Sequence, residues 1–326
     1  MKVCFMRVPK SDAARSIGMA RESAIIDDRY RIESDSKYVY IPVKKKGSDT
    51  VMRDVPMEKN PLQRIGKILK AKHIKQIPSS FIRLGNSIIF KECKNCKSAA
   101  RIYAKELKVD NVYADTGKIN GNMRKPSLKL LYGRGNDTLI TENGTKYSLN
   151  LLKLMFSPGN FKTRTKMGTL DLANKTVIDM FCGIGYFSLP LLKYVKVKSE
   201  ILSDINPDSI DYLKKNISIN KINTPIKILN GDCRVCIPYQ RVDYIIMGNF
   251  ESIHYLSAAL IRSMEGTIIS MHYLSDEDGI ENKIGWIISL ARRMGYIMNP
   301  VATFRVKSMA PHYLHMNTQF EIISIK

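Results

Sequence analysis

The stretch "VIDMFCGIGYFSLP", Val177–Pro190, decides the fold. An apolar strand ends in Asp179, a Gly-x-Gly turn follows at Gly183 and Gly185, and a helix opens near Phe187. Glycine at both turn positions lets the backbone approach a ligand with no Cβ in the way. The turn lies at the carboxyl end of a strand, where open α/β sheets bind ligands. A dinucleotide site would want G-x-G-x-x-G, and this chain has Ser188 at the last of those places.

Outward from this turn, short apolar runs alternate with helical segments from about residue 165 onward. "KTVIDMF", "SEILSDI", "PIKILNG", "VDYIIMG" and "GTIISMH" read as strands. "FSLPLLKYV", "NPDSIDYLKKNISIN", "IHYLSAALIRSM" and "IENKIGWIISLARRMG" read as helices between and after them. Repeated βα units predict a parallel, doubly wound α/β sheet. The end of the chain adds two strands around a loop with Pro311, which would put an antiparallel strand on that sheet.

The next two strands name the ligand. "ILSDINP", Ile201–Pro207, ends in Asp204, about 20 residues after the turn, where a carboxylate can accept both hydroxyls of a ribose. "ILNGDCR", Ile228–Arg234, ends in Asp232, placed to accept from an adenine amino group. An acid with Gly-x-Gly, a ribose acid and an adenine-edge acid, in that order, form the pattern of an S-adenosylmethionine site. Donor contacts are expected from Asp179, Phe181, Gly183, Gly185, Tyr186 and Phe187 around the turn, and from Asp204, Ile205, Asp232, Cys233 and Gly248 at the following strand ends. The aromatic rings of Tyr186, Phe187 and Phe250 could stack on the donor adenine or on a target base, although core packing explains Phe187 equally well.

"YIIMGNF", Tyr244–Phe250, follows the fourth strand. Amino-group methyltransferases carry Asn or Asp, two prolines and an aromatic there, and here both prolines are missing. Upstream, "FSPGNFKTRTKMG" precedes the first sheet strand and is expected to form a lip touching the donor or a nucleic-acid phosphate through Ser157, Lys162, Arg164 and Lys166. Arg164→Ala is expected to weaken turnover far more than folding.

Residues 1–46 read as a small α+β unit whose helix Ser11 or Asp12 would cap, 47–62 as a linker, 63–150 as a second α+β unit, and 151–326 as the catalytic domain. In the second unit Gly85-Asn86 and Asn143-Gly144 mark hairpin turns. Net charge is +22, and residues 1–150 hold 31 basic against 15 acidic residues, a net of +16. That excess suggests a nucleic-acid footprint on the first half, with Arg124, Lys125, Lys129 and Arg134 along a phosphate path. No apolar run is long enough for a membrane span and no signal peptide is evident, so the cytoplasm is the expected compartment. "CKNC" and "CRVC" lie far apart, so no shared metal is expected; chance or a local disulfide accounts for them better. Trp286, at helical spacing with Ile284, Ile287 and Leu290, is expected in the core.

Nearly the whole chain resembles the archaeal enzymes that modify the tRNA purine 3′ of the anticodon. The segments that carry the resemblance are "RKPSLKLLYG", "MFSPGN", "DMFCGIGYFSLP", "IMGNF" and "RVKSMAPHYLH", in this order. One branch of that family is the tRNA guanine N1-methyltransferase. The other is the wybutosine-pathway enzyme, which transfers the 3-amino-3-carboxypropyl group of S-adenosylmethionine to a tricyclic guanine derivative of tRNA(Phe). The resemblance implies a class I methyltransferase (Rossmann-like) sheet with small N-terminal α+β domains, probing tRNA as a monomer. The methyltransferase branch carries Arg after "FSP", and this chain has Gly159 and Asn160; it carries prolines after the fourth strand, and this chain has Gly248-Asn249-Phe250. His315 matches a His of the transferase branch and is placed with the tRNA-binding groups. Asn160, Asn249 and His272 are the candidate catalytic groups, with His254 also near the presumed cleft. Two departures stand out: Asp204 replaces the Glu of many members, and residues 1–46 resemble the N-terminal unit of the methyltransferase branch. They leave a methylating or dual-function enzyme open, and a non-catalytic tRNA-binding protein is the reading from another class.

Overall fold

The computed structural model describes residues 2–23, 25–27, 30, 32–47, 49–54, 61–93, 95–117 and 126–326. Arg124 and Lys125 lie outside the described residues. The chain forms two compact units, one of Met1–Ile77 with Ser98–Lys108, the other of Pro78–Lys97 with Val109–Lys326.

The first unit holds β1 (Lys2–Pro9), α1 (Ala13–Glu22), β2 (Glu33–Ser34), β3 (Tyr38–Pro42), β4 (Thr50–Asp54), α2 (Pro61–Ala71) and most of α3 (Lys97–Leu107). Its four strands pair in the order β2-β3-β1-β4. Alternation along β1 puts Val3 and Phe5 inside, the phase then shifts so that Arg7 is exposed and Val8 buried, and Val8 packs with Ala20, Ile26 and Ile41. Asp12 stands at the N-cap of α1, but its side chain makes no capping bond. The stretch expected as a linker is not one throughout: Thr50–Asp54 pairs antiparallel with Lys2–Met6. Without it β1 would present a bare edge, and the "TVMR" run supplies the ladder.

The second unit begins with β5 (Ser80–Leu84), β6 (Ser87–Lys91), β7 (Asn111–Asp115) and β8 (Leu128–Tyr132), a sheet in chain order. A separate hairpin follows, β9 (Thr138–Glu142) and β10 (Thr145–Leu149), and both hairpins turn at the expected Gly85-Asn86 and Asn143-Gly144 pairs. Then come α4 (Phe161–Met167), β11 (Thr176–Asp179), α5 (Ser188–Tyr194), β12 (Ser199–Asp204), α6 (Pro207–Ile219), β13 (Ile226–Asn230), α7 (Cys233–Cys236), β14 (Val242–Met247), α8 (Leu256–Leu260), β15 (Ser263–Asp276), α9 (Ile280–Arg293), β16 (Tyr296–Ala310) and β17 (Tyr313–Ile325).

The seven late strands make the doubly wound sheet, ordered β13-β12-β11-β14-β15-β17-β16. The first five run parallel, and β17 inserts antiparallel between β15 and β16. Ile178, Ile245, Ile269 and Phe320 pack with α8 and α9 on one face; Val177, Leu202 and Ile246 pack with Leu191 and Leu213 on the other. The hairpin β9–β10 is tied to this sheet domain, because Asn216 bonds both backbone groups of Ser148 (2.7 and 3.2 Å) and Asn220 does the same for Lys146 (2.8 and 2.7 Å). Trp286 is not core: it is 44% exposed, while Ile284, Ile287 and Ala291 form the buried stripe. At 100° per residue Trp286 falls on the opposite side of α9 from that stripe.

Candidate active site

Between β11 and α5 the chain passes through Gly183 (φ +54°) and Gly185 (φ +94°). A Cβ on Gly185 would lie 2.5 Å from Leu189 Cγ, so the turn admits only glycine there. Asp204, at the end of β12, fastens the turn: its two oxygens accept from the N–H groups of Gly183 (2.8 Å) and Asn206 (2.9 Å). Burial raises its pKa against those two bonds. Asn206 in turn caps α6, accepting from the Asp208 N–H at 3.0 Å, with Pro207 in the first turn.

Asp179 is fully buried, so it works inside the turn and not on the cleft surface. It accepts from Ser188 Oγ (2.7 Å) and the Phe181 N–H (3.1 Å), and burial pushes its carboxyl up to about 7. Ser188, the departure from the dinucleotide pattern, is thereby explained: a glycine there would leave Asp179 without its hydroxyl partner. Glu200 on β12 is a further buried carboxyl, 1% exposed and held well above its usual range by burial. Sequence alone missed it, since a lone acid in a strand carries no motif.

Asp232 follows β13 and opens α7, accepting from the Arg234 N–H at 2.9 Å. The Arg234 side chain pairs with the carboxylate at 2.5 Å and holds its pKa down. The Arg234 guanidinium lies 5.0 Å from the Tyr255 ring centroid, and that ring meets Phe181 edge-on at 4.9 Å. Ile205 is 52% exposed beside Asp204, whereas Cys233 is buried. Asp204, Asp232 and Gly248 thus stand at the carboxyl ends of β12, β13 and β14.

The proline-free box packs closely. A Cβ on Gly248 would come 2.8 Å from the Phe187 ring, so glycine lets that ring lie against the backbone. Asn249 Oδ1 accepts from the Glu251 N–H at 3.1 Å. Phe187 stacks on His272, with ring centroids 5.0 Å apart, and Phe250 meets His315 edge-on at 4.7 Å. His272 Nδ1 and His315 Nε2 are 2.8 Å apart, and both rings are buried. Burial, then the His315 neighbour, hold His272 down to about 3, so it is a neutral imidazole. His315, expected among the tRNA-binding groups, is instead 1% exposed on β17, between β15 and β16, with its ring bonded to His272. His254 is exposed on the turn before α8.

The loop before α4 is held from both sides. Ser157 Oγ accepts from Lys307 Nζ at 2.8 Å, and the Tyr186 hydroxyl donates to the Met155 carbonyl. Asn160 Oδ1 is buried and accepts no hydrogen bond among the described residues. Arg164 is not part of an exposed lip. It is 2% exposed, forms a two-point pair with Glu142 (2.6 and 2.8 Å), donates to the Ser157 carbonyl (3.0 Å) and lies 4.5 Å from the Phe156 ring centroid. Lys162 and Lys166 are exposed on α4, and Lys129 and Arg134 are exposed on and after β8.

Cys93 and Cys96 form a disulfide, whereas Cys233 and Cys236 are free. Among the described residues no cluster of His, Cys, Asp and Glu could hold a metal ion, and no helix is long and apolar enough to cross a membrane.

Residues 138–295 match the TRM5/TYW2 methyltransferase domain, residues 6–51 the tRNA methyltransferase 5 N-terminal domain, and residues 62–138 the TYW2 N-terminal domain. A Pyrococcus horikoshii protein named tRNA(Phe) (4-demethylwyosine(37)-C(7)) aminocarboxypropyltransferase is 31% identical over 258 residues, covering 77% of this chain and 92% of the relative. A Pyrococcus abyssi tRNA (guanine(37)-N(1))-methyltransferase Trm5b is 27% identical over 321 residues, covering 92% of this chain and 93% of the relative. The crystal structure of P. horikoshii TYW2 in complex with MeSAdo superposes with a TM-score of 0.71 at 28% identity, over 80% of this chain and 98% of that one. Likeness of this extent, running through both the sheet and the segments before it, is common descent, and the chain belongs to the TRM5/TYW2 family.

Proposed function

We propose that the chain transfers the 3-amino-3-carboxypropyl group of S-adenosylmethionine to the tricyclic guanine derivative 3′ of the anticodon of tRNA(Phe), as a cytoplasmic monomer. The observation that carries this reading is the 31% identity over 92% of the length of the P. horikoshii aminocarboxypropyltransferase. The local departures support it: Gly159-Asn160 where a methyltransferase has its arginine, and Gly248-Asn249-Phe250 where it has its prolines.

The residues present fit the donor. Asp204 would hold the ribose hydroxyls and Asp232 the adenine amino group, both from strand ends beside a turn with no Cβ at Gly183 and Gly185. Asn160 keeps a buried acceptor oxygen unspent, which suits an ammonium group. When bound, S-adenosylmethionine supplies a sulfonium whose three attached carbons are electrophilic. Orientation decides which of them reacts, so the protein's task is chiefly positioning. His272, stacked on Phe187 next to Gly248, is neutral and would add no positive charge to a site that takes a sulfonium.

Two labels test the reaction. The enzyme is given tRNA carrying the tricyclic intermediate, or tRNA carrying plain guanine, with donor labelled at its methyl or its carboxyl carbon. Carboxyl label in tRNA with release of methylthioadenosine is the expected result. Methyl label in tRNA would overturn it in favour of a guanine N1-methyltransferase. That second reading draws on the N-terminal match at residues 6–51 and on the Trm5b relative that covers 92% of the chain.

The +16 balance of residues 1–150 supports tRNA binding through phosphate contacts. Affinity is expected to fall by about a thousandfold between 50 and 200 mM salt in filter binding, the scale for six or more such contacts. A loss below about tenfold would count against a phosphate-dominated interface.

A further inference from the structure

A cavity of about 220 Å³ opens beside the β9–β10 hairpin, where residues of α4 and α5 face it. Exposed Asn143, Thr165 and Tyr194 stand at its mouth, and buried Thr145, Tyr147 and Arg164 lie deeper. The mouth is braced: the Tyr194 hydroxyl donates to the Asn143 carbonyl, and the Asn143 amide donates to Thr165 Oγ1 at 2.6 Å. Among the described residues that line the cavity, none stands at the carboxyl end of β12, β13 or β14, so it is separate from the donor site.

Two observations point to a ligand and to its chemistry. Thr145 is 1% exposed and lines the cavity, and its hydroxyl has no hydrogen-bond partner among the described residues. A buried hydroxyl left without a partner is costly, and a ligand group would supply one. The deep end also holds the Arg164–Glu142 pair, whose charges cancel. A charged ligand would unbalance that pair where little water screens it, so the occupant is neutral. Size and shape follow from the walls. An apolar cavity on the order of 150 Å³ holds one benzene ring, so this one takes a ring or a fused pair. The rings of Tyr147 and Tyr194 and the side chain of Pro190 give a flat aromatic molecule surfaces to pack on.

We propose that this cavity is an effector site for a neutral, flat heteroaromatic molecule whose N–H or O–H group pairs with Thr145, and that its occupant raises affinity for S-adenosylmethionine. The path between the sites is short. The Arg164 guanidinium borders the cavity and also donates to the Ser157 carbonyl at 3.0 Å, in the loop that carries Asn160. A ring packed against Arg164 adds contacts that restrict the guanidinium, and the loop it anchors is fixed with it. Asn160 is the residue assigned above to the donor's ammonium, so the coupling rests on that reading, whereas the binding site does not. Coupling of this kind is reciprocal: the donor raises affinity for the effector by the same factor.

The test is calorimetry on the intact chain, with indole as the probe and indole-3-carboxylate as its charged counterpart. Indole is expected to bind with a Kd on the order of 0.1–1 mM, the scale for a ligand of about nine heavy atoms. The carboxylate is expected to bind at least about tenfold more weakly. Thr145→Val keeps the shape and removes the hydroxyl, and should weaken indole by roughly three- to tenfold, the scale of one hydrogen bond. Thr145→Leu fills the space and should abolish binding; if it does not fold, as judged by circular dichroism, Thr145→Val decides alone. Equal indole affinity in wild type and Thr145→Val, or a preference for the carboxylate, would overturn the site. Saturating indole should lower the Kd for S-adenosylmethionine about fivefold in wild type, the low end for coupled sites, and leave it unchanged in Thr145→Leu. Indole that competes with S-adenosylmethionine would place the probe in the donor site and overturn the proposal. Indole that depends on Thr145 but leaves the donor Kd unchanged would overturn the coupling. A wild-type chain that binds no S-adenosylmethionine would fell the donor reading, while the indole titrations still decide the cavity.

Discussion

Replacing Arg164 by methionine is expected to destabilise the protein by about 3–5 kcal/mol, the usual cost of stranding one member of a buried ion pair. The pair is well made: side-chain exposures are 3% for Arg164 and 15% for Glu142, and two bonds of 2.6 and 2.8 Å join them. Removing the guanidinium leaves Glu142 largely desolvated and without its counter-charge, and it frees the Ser157 carbonyl. The loop that carries Asn160 would then lose one of its anchors and keep those from Lys307 and Tyr186. Urea unfolding of Arg164→Met and of the double variant Arg164→Met/Glu142→Met measures the effect. The double variant should recover much of the loss, because two apolar side chains replace a pair instead of half of one. A single variant with the wild-type midpoint and a collapsed turnover would instead restore Arg164 to direct contact with donor or tRNA.

Acidification should bring out the histidine pair. An ordinary histidine titrates near 6.5, and His272 is held down to about 3 by burial and by His315. The unfolded chain therefore takes up the proton first. Stability from His272 is complete above pH 6.5 and drains away as pH falls toward 3, by about 1.4 kcal/mol per unit, or about 2 kcal/mol at pH 5. Asp179 acts in the opposite sense. Its carboxyl is raised from 3.8 to about 7, so its contribution is complete below 3.8 and is lost as pH rises through 7. Between pH 7 and 5 the two offset each other in the wild type. In His272→Gln the His272 loss is gone while the gains of Asp179 and the other raised carboxyls, Glu200 and Asp204, remain, so the variant should become more stable on going from pH 7 to 5, relative to wild type, by about 2 kcal/mol. Equal pH dependence of the two proteins in urea titrations would mean that His272 titrates normally.

The parts of this fold that could be read from the chain are those written locally. The strand, the glycine turn and the helix of Val177–Tyr194 lie within one short run, and both hairpin turns are announced by a Gly-Asn or Asn-Gly pair. Asp204 and Asp232 could be found because parallel strands deliver their carboxyl ends to one edge of the sheet. What escaped depends on distant partners. Arg164 looks like a free cation until the β9 hairpin brings Glu142 to it, 22 residues away in the chain. His315 reads as a basic group on a late strand until the sheet order places β17 beside β15, where it meets His272 across 43 residues. Thr50–Asp54 sits between polar and proline-bearing segments, which hid its pairing with β1. The spacing of Trp286 from Ile284, Ile287 and Leu290 suggests a shared core face, but its angle around α9 is that of the solvent side.

The insertion of β17 between β15 and β16 also sets an order of assembly. β16 and β17 join through a two-residue connection, Pro311-His312, and such a ribbon closes in microseconds by local contacts. Its docking onto β15 spans a much longer stretch of chain, so it carries the larger loop-closure cost and belongs to the slow, non-local phase. Until that docking, β15 has no neighbour on one side, and the imidazoles of His272 and His315 remain apart and hydrated. Their ring resonances would then act as a clock within the molecule, changing only when the last seam of the sheet has closed.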